Sequence, residues 1–435
     1  MYSGKETDME IAVIGGGASG MMAALTARKC GGAVTIYEKN DRVGKKLLMT
    51  GNGKCNFTNL DFSCAYFRSD TCQDEEKQVF FDSFGVEDTI RFFEELGLFI
   101  KNKSGYLYPS CEQASVVLDL LRYACDRAGI VTLVNTEVKK LYKKGEKFTI
   151  EAIRTEGDKS GAVRFKKEDA FDRVILACGS KAGPGGTVSG SGYLLAASFG
   201  HRVTAPVPAL VQLRCKEDFF KKLAGVRITC ELTLYLDGRE TQREQGELQL
   251  TDYGISGIPV FQFSRYTARA LSEKRSVKVS VNFLPEFSDE EYFRLIHSRY
   301  EKKKGERAEE FFLGITNKKI MQLLLQLADL KPDDKIGENN RNKWEKVFFL
   351  LRKFDTRVTA CNPFENAQVC AGGVSMGEVT KTLESTLVSG LFFAGELLDI
   401  DGRCGGYNLQ WAWTSGHIAG ENAAKRSDRG RGTKI

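Results

Sequence analysis

Three glycines and one carboxylate near the start of the chain have the spacing of a dinucleotide-binding site. Gly15, Gly17 and Gly20 form the pattern G-x-G-x-x-G, and Glu38 follows them. The first glycine permits a tight turn, the second lets a pyrophosphate approach the backbone, and the third lets a helix pack closely on a sheet. Glu38 can accept hydrogen bonds from ribose hydroxyls, and its charge disfavours a 2′-phosphate. The alternative is a glycine-rich turn in an ordinary α/β core.

The segments around this motif predict the elements that would position it. Glu10 to Ile14 has the pattern of a buried strand, and Ala18 to Cys30 that of an apolar helix. A second strand is predicted from Ala33 to Tyr37. In such a βαβ unit the helix N-terminus presents free N–H groups and about half a positive charge to phosphates. This placement favours nucleotide binding over the ordinary turn.

The loop of residues 39–59 is rich in Gly, Lys and Asn and can run back along a bound dinucleotide. Cations that could meet phosphate charge are Arg42, Lys45 and Lys46. Unusual backbone angles and amide hydrogen bonds are allowed at Gly51, Asn52, Gly53 and Asn56. The alternative is a solvated surface loop. Cys55 is either a redox or acid group near the cofactor or a buried bystander thiol.

A later segment is also predicted to be a strand whose end faces a ligand. A buried strand from Arg173 to Ala177 meets Cys178-Gly179, and a Gly/Ser turn then leads into a helix within residues 188–201. Ser189 and Ser191 in that turn could bind cofactor or cap the helix.

Near the C-terminus, LFFAG predicts a buried strand that Glu396 follows, where open α/β sheets bind ligands. Asp399, Asp401 and Gly402 then read as a polar turn. Gly405-Gly406 would open a second helix, Tyr407 to Ala424, whose N-terminus is offered to an electron-rich partner.

The remaining periodicity outlines the rest of the fold. Helices are predicted within 75–99, 112–128 and 287–330, and strands within 131–156, 162–167, 203–214, 226–236, 245–252 and 276–284. TDYGISGIPVFQFSR, 251–265, ends a strand and starts a helix, and VCAGGVSMGEV, 369–379, reads as strand, glycine turn and strand. Residues from about 202 to 355 therefore read as an inserted domain, part β and part helical.

Composition limits the function classes. The chain has 435 residues, 42% hydrophobic and 28% charged, with a formal charge of +6. We expect two or three domains in a soluble globular protein. The charge is small for this length and does not argue for nucleic acid, and the basic tail reads as a solvated terminus. We expect no signal peptide, because Glu6, Asp8 and Glu10 have the wrong charge, and no transmembrane span.

Twelve cysteines occur without C-x-x-C or zinc spacing, which predicts reduced thiols in the cytoplasm and no structural disulfides. Three histidines argue against a catalytic triad or a multi-histidine metal site, so no metal is predicted. No general acid is assigned, and a Tyr, Lys, Cys or ordered water could serve.

The motifs at the two ends of the chain resemble a known group. IAVIGGGASG and LFFAGELLDIDGRCGGYNLQWAWTSG are similar to the two-dinucleotide-binding-domain flavoproteins. More narrowly, they resemble a bacterial flavoprotein family that includes aminoacetone-oxidase-like enzymes and bile-acid 3-dehydro reductases. KKLLMTGNGKCNFTN, TDYGISGIP and VCAGGVSMGEV also resemble this family's internal motifs. The resemblance covers nearly the whole chain in order.

The resemblance implies an α/β fold with a Rossmann-like, glutathione-reductase-like FAD-binding domain interrupted by the β-rich and helical insertion. The expected domains are 1–201 and 356–435 for FAD and 202–355 for the substrate or cap. The pyrophosphate would be held by Gly15, Gly17 and Ser19, and the adenosine ribose by Glu38.

Three further groups are implied. Gly179 lies in the equivalent of the family's Ala-Thr-Gly strand end, where Cys178 replaces Thr and removes its hydroxyl. Glu396 stands where related flavoproteins place an Asp on the ribityl or phosphate groups. The first N–H groups of the second helix would stabilise negative charge on the reduced flavin ring. The predicted cofactor-binding residues are Gly15, Gly17, Ala18, Ser19, Glu38, Lys39, Arg42, Lys46, Gly51, Asn52, Gly53, Asn56, Val138, Ala177, Gly179, Gly395, Glu396, Asp399, Gly406, Tyr407, Asn408 and Leu409.

The function implied is an FAD-dependent oxidoreductase that reduces a small apolar conjugated carbonyl compound, bile-acid-like or other, by hydride transfer through the flavin. NAD(P)H would be a transient electron donor, because no second G-x-G-x-x-G occurs. Alternatives are an FAD-dependent amine or aminoketone oxidase and a flavin-binding redox protein without turnover. An RNA-modifying flavoprotein is disfavoured by the modest charge. The expected partner is a small molecule, with no nucleic acid and no membrane.

Overall fold

The computed structural model describes residues 9–156, 163–183 and 190–425. The predicted role of Ser189 and the basic tail beyond Lys425 fall outside these ranges. The chain divides into two compact units, unit 1 with residues 1–206 and 369–435 and unit 2 with residues 207–368.

The strands of the described residues form a five-stranded sheet, a six-stranded barrel and four sheets of two or three strands. In chain order they are β1 Glu10–Ile14, β2 Ala33–Tyr37, β3 Thr58–Asn59, β4 Phe67–Arg68, β5 Ile100–Lys103, β6 Tyr106–Pro109, β7 Val131–Leu133, β8 Thr136–Lys144, β9 Lys147–Glu156, β10 Val163–Phe171, β11 Arg173–Leu176, β12 Val203–Ala209, β13 Leu213–Cys215, β14 Arg227–Leu236, β15 Arg239–Leu250, β16 Gly254–Ser256, β17 Val277–Asn282, β18 Phe354–Cys361, β19 Val369–Val374, β20 Leu391–Phe393 and β21 Asp401–Gly402.

Helices surround the sheets of both units. In chain order they are α1 Ala18–Lys29, α2 Asp74–Ser83, α3 Val86–Glu95, α4 Ala114–Arg127, α5 Ser191–Ser198, α6 Phe220–Leu223, α7 Ile258–Ser272, α8 Asp289–Lys302, α9 Ala308–Phe311, α10 Lys318–Leu327, α11 Arg341–Arg352 and α12 Tyr407–Ala424.

A five-stranded parallel sheet forms the centre of unit 1. Its order is β20-β11-β1-β2-β7, so β1 lies between β2 and β11. Ile14 pairs with Tyr37 on one side and Leu176 on the other. The strands are parallel, and their carboxyl ends therefore meet at one edge of the sheet. The residues that follow these ends, including Gly15, Glu38 and Ala177, lie along that edge.

Helices α1 and α12 run in the same direction and pack against each other with very little space between them. A Cβ added to Gly416 would lie 2.5 Å from the Ser19 carbonyl oxygen, and one added to Gly420 would lie 2.3 Å from the Ala23 oxygen. The two contacts advance in the same direction along both helices. The N-termini of α1 and α12 therefore point toward the same edge of the sheet.

Unit 2 is built on a closed six-stranded barrel in the order β13-β16-β15-β14-β17-β18. Alternate residues of β14 and β17, such as Leu232, Leu234 and Val279, are fully buried. The same apolar core includes Trp344, whose ring centroid lies 4.7 Å from that of Phe311. The expected boundary at residue 355 falls inside β18, which pairs with β13 and β17 of the same barrel.

Several predicted elements match and others need correction. Strands β1 and β2 and helix α12 have the expected bounds, and α1 ends one residue early. The helical region predicted at 75–99 is two helices, because Phe84 is extended and Gly85 begins α3. The predicted second strand of 369–379 is wrong, since a short 3₁₀ helix at Met376–Glu378 takes its place. Helix α11 was missed.

Candidate functional site

The glycine motif forms a tight turn between β1 and α1. Gly15 has φ +109°, and a Cβ there would lie 2.4 Å from the Ala177 carbonyl oxygen. A Cβ on Gly20 would lie 1.9 Å from the Gly15 oxygen. Gly17, in contrast, begins α1 in extended conformation, and a Cβ there would meet nothing within 4 Å. Two glycines therefore close the turn, while the third faces open space beside the helix N-terminus.

Glu38 is fixed at the carboxyl end of β2 beside this turn. Its buried carboxylate accepts the Gly16 N–H at 2.9 Å and both the main-chain and side-chain N–H groups of Asn40, at 2.8 and 2.7 Å. Burial lowers the pKa of the neighbouring Lys39. Strand β8 starts here too, because the Thr136 N–H donates to the Glu38 carbonyl, and Val138 is buried two residues farther on.

A second carboxylate is held at the end of β20. Glu396 Oε2 lies 2.6 Å from Lys46 Nζ and accepts the Ser180 hydroxyl at 2.7 Å. Lys46 comes from the 39–59 loop, so this loop does fold back to the carboxyl edge of the sheet. Arg42 of the same loop is exposed. Ser180 was not among the predicted site residues. Its position shortly after the carboxyl end of β11 could have indicated that it lies at this edge.

Gly395 and the β11 end complete this edge. The Gly395 N–H donates to Ser415 Oγ at 2.8 Å, and its carbonyl accepts the Trp411 indole N–H. A Cβ on Gly395 would lie 2.4 Å from Ser19 Oγ in the first turn of α1, which begins at Ala18. Gly179 is in left-handed conformation with open space around it.

The loop before β3 contacts the start of α12. As expected, unusual backbone angles occur at Gly51, Asn52 and Gly53, which all have positive φ. Asn56 is buried, and its Oδ1 would lie 3.0 Å from a Cβ on Gly406. Gly406 begins α12 with φ +94°, a conformation that favours glycine.

The first side chains of α12 are already engaged by the protein. The Tyr407 hydroxyl donates to the Asp61 carbonyl at 2.8 Å. The Asn408 side chain accepts the Gly402 N–H and donates to the Gly402 and Arg403 carbonyls. Leu409 is partly buried. What this helix start offers a ligand is therefore its main-chain N–H groups, since the first turn of a helix leaves them without intrahelical acceptors.

The polar turn expected at Asp399 and Asp401 is buried. Asp399 has no exposed surface, and its Oδ2 accepts the Thr71 hydroxyl at 2.9 Å and the Asp70 N–H at 3.1 Å. Asp401 belongs to β21, which pairs with β4. The expected polar turn is therefore buried, and the Asp399 carboxylate anchors a distant loop, residues 69–71.

The two helix starts lie at one edge but at different heights. Tyr407 precedes Gly416 by nine residues, and Ala18 precedes Ser19 by one. Because Gly416 lies level with Ser19, α12 begins about 12 Å farther along the common axis, at about 1.5 Å per residue. The N-termini of α1 and α12 both favour negative charge, and they are separated along the helix direction. This arrangement suits an extended ligand that carries negative charge at both positions.

Comparison with known proteins identifies the family of this chain. The model of the family described as HI0933-like protein Rossmann domain matches residues 9–422. The chain belongs to this HI0933-like family. It is 43% identical over 423 residues to a 3-dehydro-bile acid delta(4,6)-reductase of Clostridium scindens, covering 96% of this chain and 99% of that protein.

Two further relatives are more distant. A ribosomal RNA dihydrouridine synthase of Haemophilus influenzae is 28% identical, covering 93% of this chain and 96% of its own. One of Escherichia coli is 27% identical, covering 95% and 98%. The family match confirms the predicted Rossmann-like FAD-binding fold and the assignment as an FAD-dependent oxidoreductase.

The residues of this HI0933-like protein fit FAD. Gly17 leaves room for a pyrophosphate, which a side chain would fill. Within the described ranges, two buried polar atoms at this edge have no hydrogen-bond partner, Asn56 Oδ1 and the Tyr193 hydroxyl. Burial raises the pKa of Tyr193, whose charged neighbours include Glu396 and Asp399. Tyr193 was missed because nothing in its local sequence shows where the hydroxyl points.

Cys55 is a buried bystander in this geometry. It has no exposed surface, and burial raises the pKa of its thiol to about 12. The thiolate fraction at pH 8 is then about one in ten thousand. All twelve cysteines lie in the described ranges and are free thiols.

We therefore expect iodoacetamide at pH 8 to label the exposed Cys30 and Cys111 in the native protein and to leave Cys55 unmodified. Peptide mass spectrometry before and after unfolding in guanidinium checks this. Unfolding should make Cys55 reactive, and rapid labelling of Cys55 in the native state would contradict the bystander assignment.

The Lys46–Glu396 pair gives a second prediction. In Lys46→Met, the partly buried Glu396 carboxylate loses its ammonium partner, and its charge then opposes the phosphates of the cofactor. We expect the Kd for FAD to rise about tenfold, measured by flavin fluorescence on titrating the apoprotein. Lys45→Met is the matched control, because Lys45 pairs with the exposed Asp41. Equal effects of the two substitutions would contradict a role for Glu396 at the cofactor.

No helix of the described residues is long and apolar enough to span a membrane. Within the same ranges, no group of three His, Cys, Asp or Glu side chains is arranged to hold a metal ion.

Proposed function

We propose that this protein reduces a carbon–carbon double bond conjugated to a ketone in a steroid-like substrate, using FAD and NAD(P)H. The observation that carries the proposal is the 43% identity to the 3-dehydro-bile acid reductase, which runs almost from end to end of both chains. The aligned region therefore includes the residues at the carboxyl edge of the sheet as well as unit 2.

The cofactor roles in this proposal follow the geometry of unit 1. The main-chain N–H groups at Gly17 to Ser19 hold the pyrophosphate, and Glu38 accepts the ribose hydroxyls. Glu396, fixed by Lys46 and Ser180, accepts hydrogen bonds from the ribityl chain or balances the phosphate region.

The start of α12 supplies the electrostatic contribution to the reaction. FAD, when bound, carries the hydride between donor and substrate. The N–H groups of Tyr407, Asn408 and Leu409 would lie against the ring and would favour negative charge there. A helix terminus contributes about 0.3–2 kcal/mol to such a charge, with the upper end in a dry site. Reduction of the substrate adds a hydride at the carbon β to the carbonyl and a proton at the α carbon.

The electron donor is proposed as a nicotinamide that binds only transiently. The chain has one G-x-G-x-x-G, and FAD uses it in this proposal. NADH or NADPH would then contact the flavin only transiently, so we expect the oxidised donor to leave before substrate enters.

Anaerobic mixing tests the function directly. The FAD-loaded protein is mixed anaerobically with NADH, NADPH or candidate amines while the visible absorbance of the oxidised flavin is followed. We expect a nicotinamide to bleach the flavin and a 3-oxo-4-ene steroid to restore its colour. Bleaching by an amine alone would show an oxidase and would overturn the reductase proposal.

A second candidate is reduction of uridine in ribosomal RNA, favoured by the two dihydrouridine synthases among the relatives. The chemistry is related, because the C5=C6 bond of uridine is also conjugated to a carbonyl. The lower identity and the formal charge of only +6 place it second. Nucleoside mass spectrometry of a ribosomal RNA fragment incubated with protein and NADPH would detect dihydrouridine if this candidate is right.

A further inference from the structure

The hairpin of β5 and β6 presents tyrosines and lysines on one face. In its register Lys101 lies opposite Tyr108 and Lys103 opposite Tyr106, so these four side chains share a face. Leu107, between the two tyrosines, is buried on the other face. The Lys103 ammonium also lies 5.7 Å from the centre of the Tyr108 ring.

Glu112 gathers three ammonium groups at this face. Its carboxylate oxygens lie 2.6 Å from Lys103 Nζ, 2.8 Å from Lys101 Nζ and 3.2 Å from Lys54 Nζ. Hydrogen bonds from Lys101, Lys103 and Lys54 lower the pKa of Glu112 to about 2. Glu112 has φ +53°, an uncommon backbone conformation for a residue other than glycine. Three positive charges meet one negative charge, so the cluster has an excess of two positive charges.

This lysine cluster, Lys54, Lys101, Lys103 and Glu112, adjoins the candidate active site. Tyr106 Cε1 would lie 2.9 Å from a Cβ on Gly405, just before α12. Asn59 of β3, which pairs with β6, donates to the Gly405 carbonyl at 2.9 Å. The lysine side chains keep between 43% and 52% of their surface exposed. A ligand at the start of α12 can therefore reach them.

We propose that the lysine cluster is a subsite for an anionic group of the molecule that meets the flavin. The proposal rests on the proposed function for the identity of that molecule. Glu112 holds the three ammonium groups together without neutralising them, and the two tyrosines supply an apolar wall beside them. A carboxylate or a phosphate fits this charge and geometry. It belongs either to an acidic side chain of the steroid-like substrate or to the 2′-phosphate of NADPH.

The test is equilibrium binding by calorimetry, which requires no turnover. The FAD-loaded protein and its Lys101→Ala/Lys103→Ala variant are titrated with a 3-oxo-4-ene steroid that carries a side-chain carboxylate and with the methyl ester of that steroid. NADP⁺ and NAD⁺ form the second pair of probes. The matched control is Lys147→Ala, because Lys147 pairs with Glu10 at the opposite, amino end of β1.

We expect the double variant, whose cluster has no excess charge, to bind one anionic probe about tenfold more weakly while its neutral or unphosphorylated partner is unaffected. Loss confined to the steroid acid assigns the subsite to substrate, and loss confined to NADP⁺ assigns it to donor. The selective loss should shrink as salt is raised.

Equal changes within each pair, no change at all, or no binding of any probe by the wild type would overturn the proposal. If the wild type binds these probes but reduces neither steroid when NADH or NADPH is supplied, the proposed function fails while the subsite stands.

Discussion

Gly17→Val is expected to give a folded protein that no longer retains FAD. The Gly17 backbone is extended and its surroundings are open, so valine fits the protein itself without a clash. The added side chain would instead occupy the space through which a pyrophosphate reaches the N–H groups of α1. We expect the Kd for FAD to rise by at least about a hundredfold, equivalent to about 2.8 kcal/mol. Fluorescence titration of the apoprotein measures it.

The stability of the apoprotein separates this effect from misfolding. At the N-cap of a helix, replacement of glycine by valine should change the free energy of unfolding by no more than about 1 kcal/mol. Gly20→Val is the contrasting variant, because its Cβ would collide with the Gly15 carbonyl and must disturb the turn. A Gly17→Val protein that binds FAD normally would show that the cofactor does not use this helix start.

Gly420→Val is expected to cause a large loss of stability. Its side chain would enter the closest contact between α1 and α12, where the Ala23 carbonyl leaves no room for a Cβ. Overpacking of this kind costs about 3 kcal/mol, which lowers the thermal midpoint of a unit of this size by about 5 °C. Because the crossing also sets the distance between the two helix starts, FAD affinity should fall as well.

The neighbouring residue in the same helix provides the control. Glu421 has 42% of its side chain exposed and pairs with Lys425, so Glu421→Val should shift the midpoint by about 1 °C or less. Differential scanning calorimetry of both variants with and without FAD makes the comparison. Similar thermal midpoints for the two variants would contradict the close packing of α1 on α12, because they would mean that the helices can move apart without loss of stability.

Local sequence patterns correctly predicted the strands and helices whose limits are marked by glycines and by apolar periodicity. Strand β1, the glycine turn and α1 follow one another within a single motif, and the bounds of α12 were visible from Gly406 at one end and the apolar run after it. These features depend on backbone conformation and periodicity within a few residues. For the same reason α11, whose charged face hides its buried Trp344, was not recognised.

Contacts between distant segments could not be read in the same way. Lys46 and Glu396 are 350 residues apart in the chain, and only the parallel sheet brings them together. Asp399 was expected in a polar turn beside the cofactor, whereas its buried carboxylate accepts hydrogen bonds from the loop at 69–71. The Tyr193 hydroxyl and the Glu112 cluster likewise depend on how helices and hairpins pack, which residue order alone does not specify.

The central claim is that the N-termini of α1 and α12 meet two parts of one FAD molecule. A crystal structure of the protein with FAD tests it most directly. We predict that pyrophosphate oxygens lie within about 3.2 Å of main-chain nitrogens at residues 17–19, and that the flavin ring lies within about 3.2 Å of those at 407–409. FAD that touches only one of these helix starts, or that does not bind at saturating concentration, would contradict the claim.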